Sequence, residues 1–254
     1  MDAVMVRSAL LVLGLVIFAE VESLRPYRTP PQPRLSRWME NLFLTAVNVT
    51  LVATLIGNPL MKGSLSLVTN SLRSLPPFLH GLLVILILDL GHYFWHMATH
   101  RVPVLWRLHR VHHCDRDMDV STYLRFHPFE LALGLLVKAG LVIISGATFL
   151  QLVIFEVVFN LSSQFHHSSL ALPEPVEKAL LRVVITPGMH RVHHSVIIKE
   201  RNSNYGTILS LWDRLFGTFR LRDDVPSIRM GVGALMNVRG PLELIKLPFR
   251  PPVL

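Results

Sequence analysis

Four apolar runs limit what this chain can fold into: residues 3–19, 42–57, 78–95 and a longer stretch from about 129 to 165. Roughly 17 to 25 apolar residues suffice for a helix to cross a bilayer, where a helix satisfies its own backbone polar groups. The first three runs lie near the lower limit for one crossing each. The fourth is too long for one helix, and Gly146 with Ala147 near its middle predicts a break into two helices of about 16 residues. The expected fold is an all-α integral membrane protein with two antiparallel hairpins carrying a helical cap. Only 17% of the 254 residues are charged, against about a quarter in soluble domains. The single cysteine, Cys114, excludes an internal disulfide framework.

The distribution of basic residues sets the expected orientation. Arg25, Arg28, Arg34 and Arg37 crowd the 24–40 loop, whereas the 58–76 connection has only Lys62 and Arg73. The positive-inside rule places the first loop in the cytoplasm, and residues 96–128 and the tail from 166 on the same side. Topology thus accounts for the net charge of +8, and nucleic acid is not an expected partner because no basic stripe stands apart from the apolar runs. Arg7 before a short apolar core also fits a signal peptide. Cleavage would leave the arginine-rich loop outside, so an uncleaved anchor is expected. Lys138 and Glu156 flank Ala147 nine positions on either side and are expected to pair at similar depth, as intramembrane charges do.

Thirteen histidines are present, and they are grouped. His96 and His100 stand four apart; His109, His112 and His113 form HxxHH, and His190, His193 and His194 repeat it. Positions i, i+3 and i+4 share a helix face, so each set aims its imidazoles one way. At about 5% histidine, one HxxHH arises by accident roughly once in thirty chains of this length; two copies with an HxxxH argue against accident. So many imidazoles exceed the needs of one zinc or one facial-triad site, and two metals would use them. Ligand type alone leaves zinc, copper, iron and nickel open.

These residues resemble the fatty acid hydroxylase and sterol desaturase superfamily of integral-membrane di-iron oxygenases. Its HxxxH, HxxHH and distant HxxHH boxes are met by His96 and His100, by His109, His112 and His113, and by His190, His193 and His194. Leu105 to Arg107, Arg125 to Pro128 with Glu130, Phe165 to Ser168 with His167, Asn204 to Gly206 and the LWDRLFGT ending at Leu211 to Thr218 also resemble family stretches. Met97 and Cys114 depart from residues frequent beside the boxes.

The resemblance implies nine metal ligands, the eight box histidines and His167, around two iron ions. No catalytic side chain is implied beyond the ligands. It further implies a lipid substrate met from the membrane, dioxygen, and electrons from a separate electron-transfer protein, since the chain has no nucleotide fingerprint, haem motif or CxxC pair. Asp89, on the helix face of His92 and His96, is expected to hold a histidine N–H and fix its tautomer; His92 is placed beside the ligands. Asp115, Asp117 and Asp119 read as a solvated loop. The expected organisation is a membrane hairpin with loops at 1–76, a histidine-box unit at 77–220 and a tail at 221–254. A divalent-metal transporter would place its site near the bilayer midplane, and a zinc hydrolase would leave most histidines unused; both are weaker readings.

Overall fold

The computed structural model describes residues 3–29, 33–67, 71–233 and 238–251. Helix α1 is Ala3–Leu24; α2 (Arg34–Val47) continues through a π-helical stretch, Asn48–Gly57, into α3 (Asn58–Ser66). Then come α4 (Pro77–Arg101), α5 (Pro103–His113), α6 (Pro128–Ser145) and α7 (Phe149–His167). The cap is completed by the short helices α8 (Glu174–Leu180), α9 (Pro187–His193), α10 (Ile198–Arg201), α11 (Leu211–Leu215) and α12 (Pro241–Lys246). Among the described residues no strand forms, only isolated bridges such as Pro26 with Leu170. Pro77, Pro103, Pro128 and Pro187 each open a helix, where the missing N–H costs nothing and φ is already set.

Four helices are long and apolar enough to cross a membrane: α1, the continuous helix from Arg34 to Ser66, α4 and α6. Their outward side chains, such as Val12, Leu13, Leu51, Leu82 and Leu136, are large, apolar and exposed, as suits a lipid solvent. α7 is more polar, carrying Gln151, Glu156, Asn160, Ser163 and Gln164.

Gly146 stops α6 in the left-handed region (φ 70°), which a glycine enters without steric cost. Around this turn α6 and α7 meet α4 in a core of Val84, Leu88, Val142, Ala147, Leu152 and Phe155. Farther along, α6 packs chiefly on α4 and α7 on α1. The two expected hairpins are therefore not confirmed. Neighbours in sequence are not the most closely packed helices, because a cavity lies between α6 and α7, and α1 covers α7 instead of pairing with α2. Lys138 Nζ does reach Glu156 Oε1 at 2.9 Å, and Arg7 from α1 joins the same carboxylate.

The ends of α1, α2, α4, α6 and α7 that lie away from the Gly146 turn gather under the cap. Here the 115–119 segment corrects a second expectation: Asp115, Asp117 and Asp119 are buried, not solvated. Arg28 and Arg37 reach over them. Arg37 donates to Asp119 Oδ2 at 2.6 Å and lies 3.7 Å from Asp115 Oδ1, and Arg28 reaches Asp117 at 3.4 Å. Burial alone would raise the Asp115 pKa, but Arg37 and Arg125 pull it below the usual carboxylate range. Asp119 also accepts the Ser121 N–H and caps the 3-10 turn Val120–Leu124. The tail braces the cap from another side: Arg107 and Arg110 of α5 donate to the carbonyls of Pro248 and Leu247 at 2.7 and 2.6 Å.

Candidate metal centre

Five imidazoles, His96, His100, His109, His113 and His193, bring one ring nitrogen each within 4.8 Å of the others'. His112, His167, His190 and His194 make a second group under the same limit. All nine histidines singled out from sequence fall in these two groups, and all are buried. His100 extends the first group along α4 from His96. The two HxxHH sets behave in a way that spacing did not reveal. Each is split between the groups, His109 and His113 against His112 in α5, His193 against His190 and His194 at α9. The groups therefore share walls; the rings of His113 and His194 stack at 4.3 Å between centroids.

Hydrogen bonds on the outer nitrogens fix which nitrogen faces inward. The Nδ1–H groups of His96, His193 and His167 donate to the carbonyls of Tyr205 (2.8 Å), Ser203 (2.7 Å) and Ser163 (2.7 Å). His109 Nδ1 lies 2.6 Å from Glu130 Oε1. These tautomers present an Nε2 lone pair to the interior, the form in which imidazole binds metal. The Nε2 atoms of His109, His193 and both ring nitrogens of His100 and His113 are buried without a hydrogen-bond partner among the described residues. In the second group, the Nε2 atoms of His112 and His167, of His190 and His167, and of His194 and His190 stand 3.0, 3.0 and 3.1 Å apart. About 3 Å is the separation of two nitrogens lying at right angles roughly 2.1 Å from a shared ion. Orphaned buried lone pairs on this scale fit metal cations. Burial, followed by the neighbouring imidazoles, pushes His112, His113, His190, His193 and His194 well below the ordinary histidine range and keeps them neutral.

The motifs that contribute no clustered histidine act as scaffold. Asn204 sits at φ 55°, a region asparagine tolerates, and its Nδ2 donates to Met189 O (2.9 Å) and Arg220 O (2.7 Å). At Gly206 a Cβ would lie 2.8 Å from Leu209 O and 2.9 Å from Asp213 Oδ2, so the turn closes only around glycine. Asp213 of the LWDRLFGT stretch accepts the N–H groups of Tyr205 (2.7 Å) and Gly206 (2.9 Å). This fixes the loop whose carbonyls orient His96 and His193.

Asp89 belongs to that scaffold, which corrects its expected role. It holds no histidine N–H; it accepts from Ile208 N and Leu209 N at 3.2 Å each and from Trp212 Nε1 at 2.7 Å. The side chain of residue 89 leaves α4 toward the 207–212 turn instead of toward the imidazoles. His92 makes no hydrogen bond to a clustered histidine; its ring is 6.4 Å from that of His96 and edge-on to Phe159 at 4.4 Å. The carboxylate that does hold a clustered imidazole is Glu130, which the sequence marked only by its place after His127-Pro128. An acid in the first turn of an otherwise apolar helix was the available signal. The His166 ring lies tilted against that of His190, 4.2 Å between centroids, but His166 is outside both groups. His127 bonds the carbonyl of Ile245 at 3.1 Å and holds the tail.

A cavity of about 440 Å³ opens onto these groups from between α4, α6, α7 and the π-helical stretch. His96, His109, His112, His167 and His190 form one end, and Leu88, Leu135, Leu141, Phe155 and Phe159 line the body.

A family model described as fatty acid hydroxylase matches residues 81–218, more than half of the chain. The chain belongs to the fatty acid hydroxylase family. Among curated relatives of this family member, human alkylglycerol monooxygenase is 31% identical over 54% of the chain and 29% of its own length. Ornithine lipid hydroxylase OlsE of Rhizobium tropici is 30% identical over 65% of the chain and 49% of its own. Delta(7)-sterol 5(6)-desaturase erg3B of Aspergillus fumigatus is 27% identical over 60% of the chain and 42% of its own. This fatty acid hydroxylase family chain thus spans less than half the length of such relatives, from 29% to 49%. No solved structure matches it significantly.

Proposed function

We propose that this fatty acid hydroxylase family member is a membrane-bound oxidoreductase that uses dioxygen and two electrons to hydroxylate or desaturate a C–H bond of a lipid. The observation that carries the reading is the pair of histidine groups closing one end of an apolar cavity within the membrane helices. The names of its relatives, a monooxygenase, a hydroxylase and a desaturase acting on lipids, support it.

His96, His100, His109, His113 and His193 would hold one iron, and His112, His167, His190 and His194 the other. Two irons bound there would supply the capacity to activate dioxygen toward an unactivated C–H bond. The protein's own groups do the rest. Glu130 keeps the His109 proton on Nδ1, and the Tyr205, Ser203 and Ser163 carbonyls do the same for His96, His193 and His167. The apolar cavity wall excludes water and confines the lipid so that one carbon lies against the histidine end. Hydroxylation balances as one C–H, dioxygen, two electrons and two protons giving C–OH and water.

The electrons come from a separate protein, and the basic loops around the cap, placed on the cytoplasmic side by the charge rule, suit an acidic donor. Residues 77–220 form the catalytic unit in this reading, with 1–76 and the 221–254 tail bracing it. The histidines lie at one end of the membrane helices and not at their middle, so nothing favours a transporter. The test is purification with metal analysis, coupled to comparison of lipids from cells with and without the protein. About two irons per chain and an oxidised lipid that depends on His190 are expected; zinc alone with an unchanged lipid profile would overturn the proposal.

A further inference from the structure

The cavity has a second polar level, away from the histidines. Lys138 of α6 and Glu156 of α7 both line it, halfway along their helices, with Asn160 one turn from Glu156 and His92 facing them from α4. Arg7 also bonds Glu156, so two cations share one carboxylate. The Lys138 side chain remains 30% exposed, and among the described residues its one hydrogen bond is to Glu156, made with one of three N–H donors. The His92 ring makes no hydrogen bond among the described residues; it is edge-on to Phe159 and 6.4 Å from the ring of His96. Ionisable groups inside a membrane are costly and face either each other or a functional cavity. Here they do both, and donors remain unspent.

We infer that Lys138, supported by Glu156 and His92, recognises an oxygen function on the lipid, a hydroxyl, carbonyl or carboxylate, and so sets which carbon reaches the histidines. This rests on the lipid-oxygenase reading above and deepens it. Lys138 lies eight residues beyond Glu130, the carboxylate on His109. That is about 12 Å of helix rise between the two polar levels, with an apolar stretch between. A lipid held at both levels has its oxygen end fixed by the ammonium and its reacting carbon fixed by distance. An apolar chain without oxygen would slide, leaving the ammonium unsatisfied in a lipid environment.

The experiment uses the full chain in detergent with two brominated probes of equal length, a long-chain alcohol and the corresponding alkane. Trp95 lines the cavity, and bromine quenches its fluorescence; Trp95→Phe identifies that signal. The alcohol is expected to bind about tenfold or more tightly than the alkane, the scale of a hydrogen bond to a charged donor. In Lys138→Met, where Arg7 still neutralises Glu156, the preference should fall to about twofold or less; in Lys138→Arg it should persist. A brominated fatty acid in the same assay tells a carboxylate preference from a hydroxyl preference. Equal binding of alcohol and alkane to the native protein, or an unchanged preference in Lys138→Met, overturns the inference. Because binding is read without turnover, a chain that recognises the alcohol but oxidises no lipid would sink the oxygenase reading and leave recognition standing. One that oxidises lipid without any preference would do the reverse.

Discussion

Replacing Glu130 tests whether the outer hydrogen bonds of the histidine groups govern metal retention. Its Oε1 lies 2.6 Å from His109 Nδ1, and both side chains are at most 5% exposed, so water does not compete for the bond. A hydrogen bond to an ionised partner contributes about 1.5–3 kcal/mol and a neutral one about 0.5–1.5. Glu130→Gln keeps the shape and loses the charge, so it should cost about 1–1.5 kcal/mol, close to tenfold in metal affinity. Glu130→Ala leaves the Nδ1–H buried without an acceptor. That raises the loss to about 1–3 kcal/mol, up to roughly a hundredfold. The assay is competition against a graded chelator with metal counted by mass spectrometry, alongside a melt showing that the fold survives. Retention in the order native, Gln, Ala is expected; Glu130→Ala holding metal as tightly as the native chain would refute the reasoning.

Three further outcomes follow from the packing. Asp89→Ala strands three donors, from Ile208, Leu209 and Trp212, at about 1–3 kcal/mol each before relaxation, so the melting temperature should drop sharply; an unchanged melt would remove its bracing role. In metal-stripped protein, His112, His113, His190, His193 and His194 stay neutral below the ordinary histidine range. The unfolded chain takes up those protons below about pH 6.5, so stability should be full above that value and fall on acidification by up to about 1.4 kcal/mol per unit per histidine. Melts at several pH values check this, and a flat profile between about pH 7 and pH 5 contradicts it. A Cβ at Gly134 would stand 3.4 Å from Trp95 Nε1 in the cavity wall, so Gly134→Leu should exclude bulky lipids while metal content stays at the native level, as lipid profiling would show.

The sequence carried the membrane helices and the histidines well because both signals are local. Apolar length marks α1, α4 and α6, Gly146 marks the break before α7, and the HxxHH spacing marks a shared helix face. What it did not carry is long-range. Nothing in the spacing of His109, His112 and His113 tells that the middle one turns to His167 while its neighbours turn to His100 and His193. Asp89 shares a face with His96, but its partner lies about 120 residues away at the 207–212 turn, and periodicity is blind to that. Likewise, alternating acids at 115, 117 and 119 look solvated until Arg28 and Arg37, some 80 to 90 positions earlier, are seen to reach over them.

The splitting of each HxxHH set has a bearing on synthesis. Neither pocket of imidazoles can close until α9 exists, and His96 and His193 of the first group are 97 positions apart (193 − 96). At translation speeds of about 5–20 residues per second, the early histidines wait on the order of 5–20 s for their later partners. During that interval α4 and α5 offer an open, half-built nest of imidazoles at the edge of the bilayer, able to seize whichever divalent ion is most abundant. Under the proposed function, faithful loading with iron would then be a matter of timing as much as of affinity.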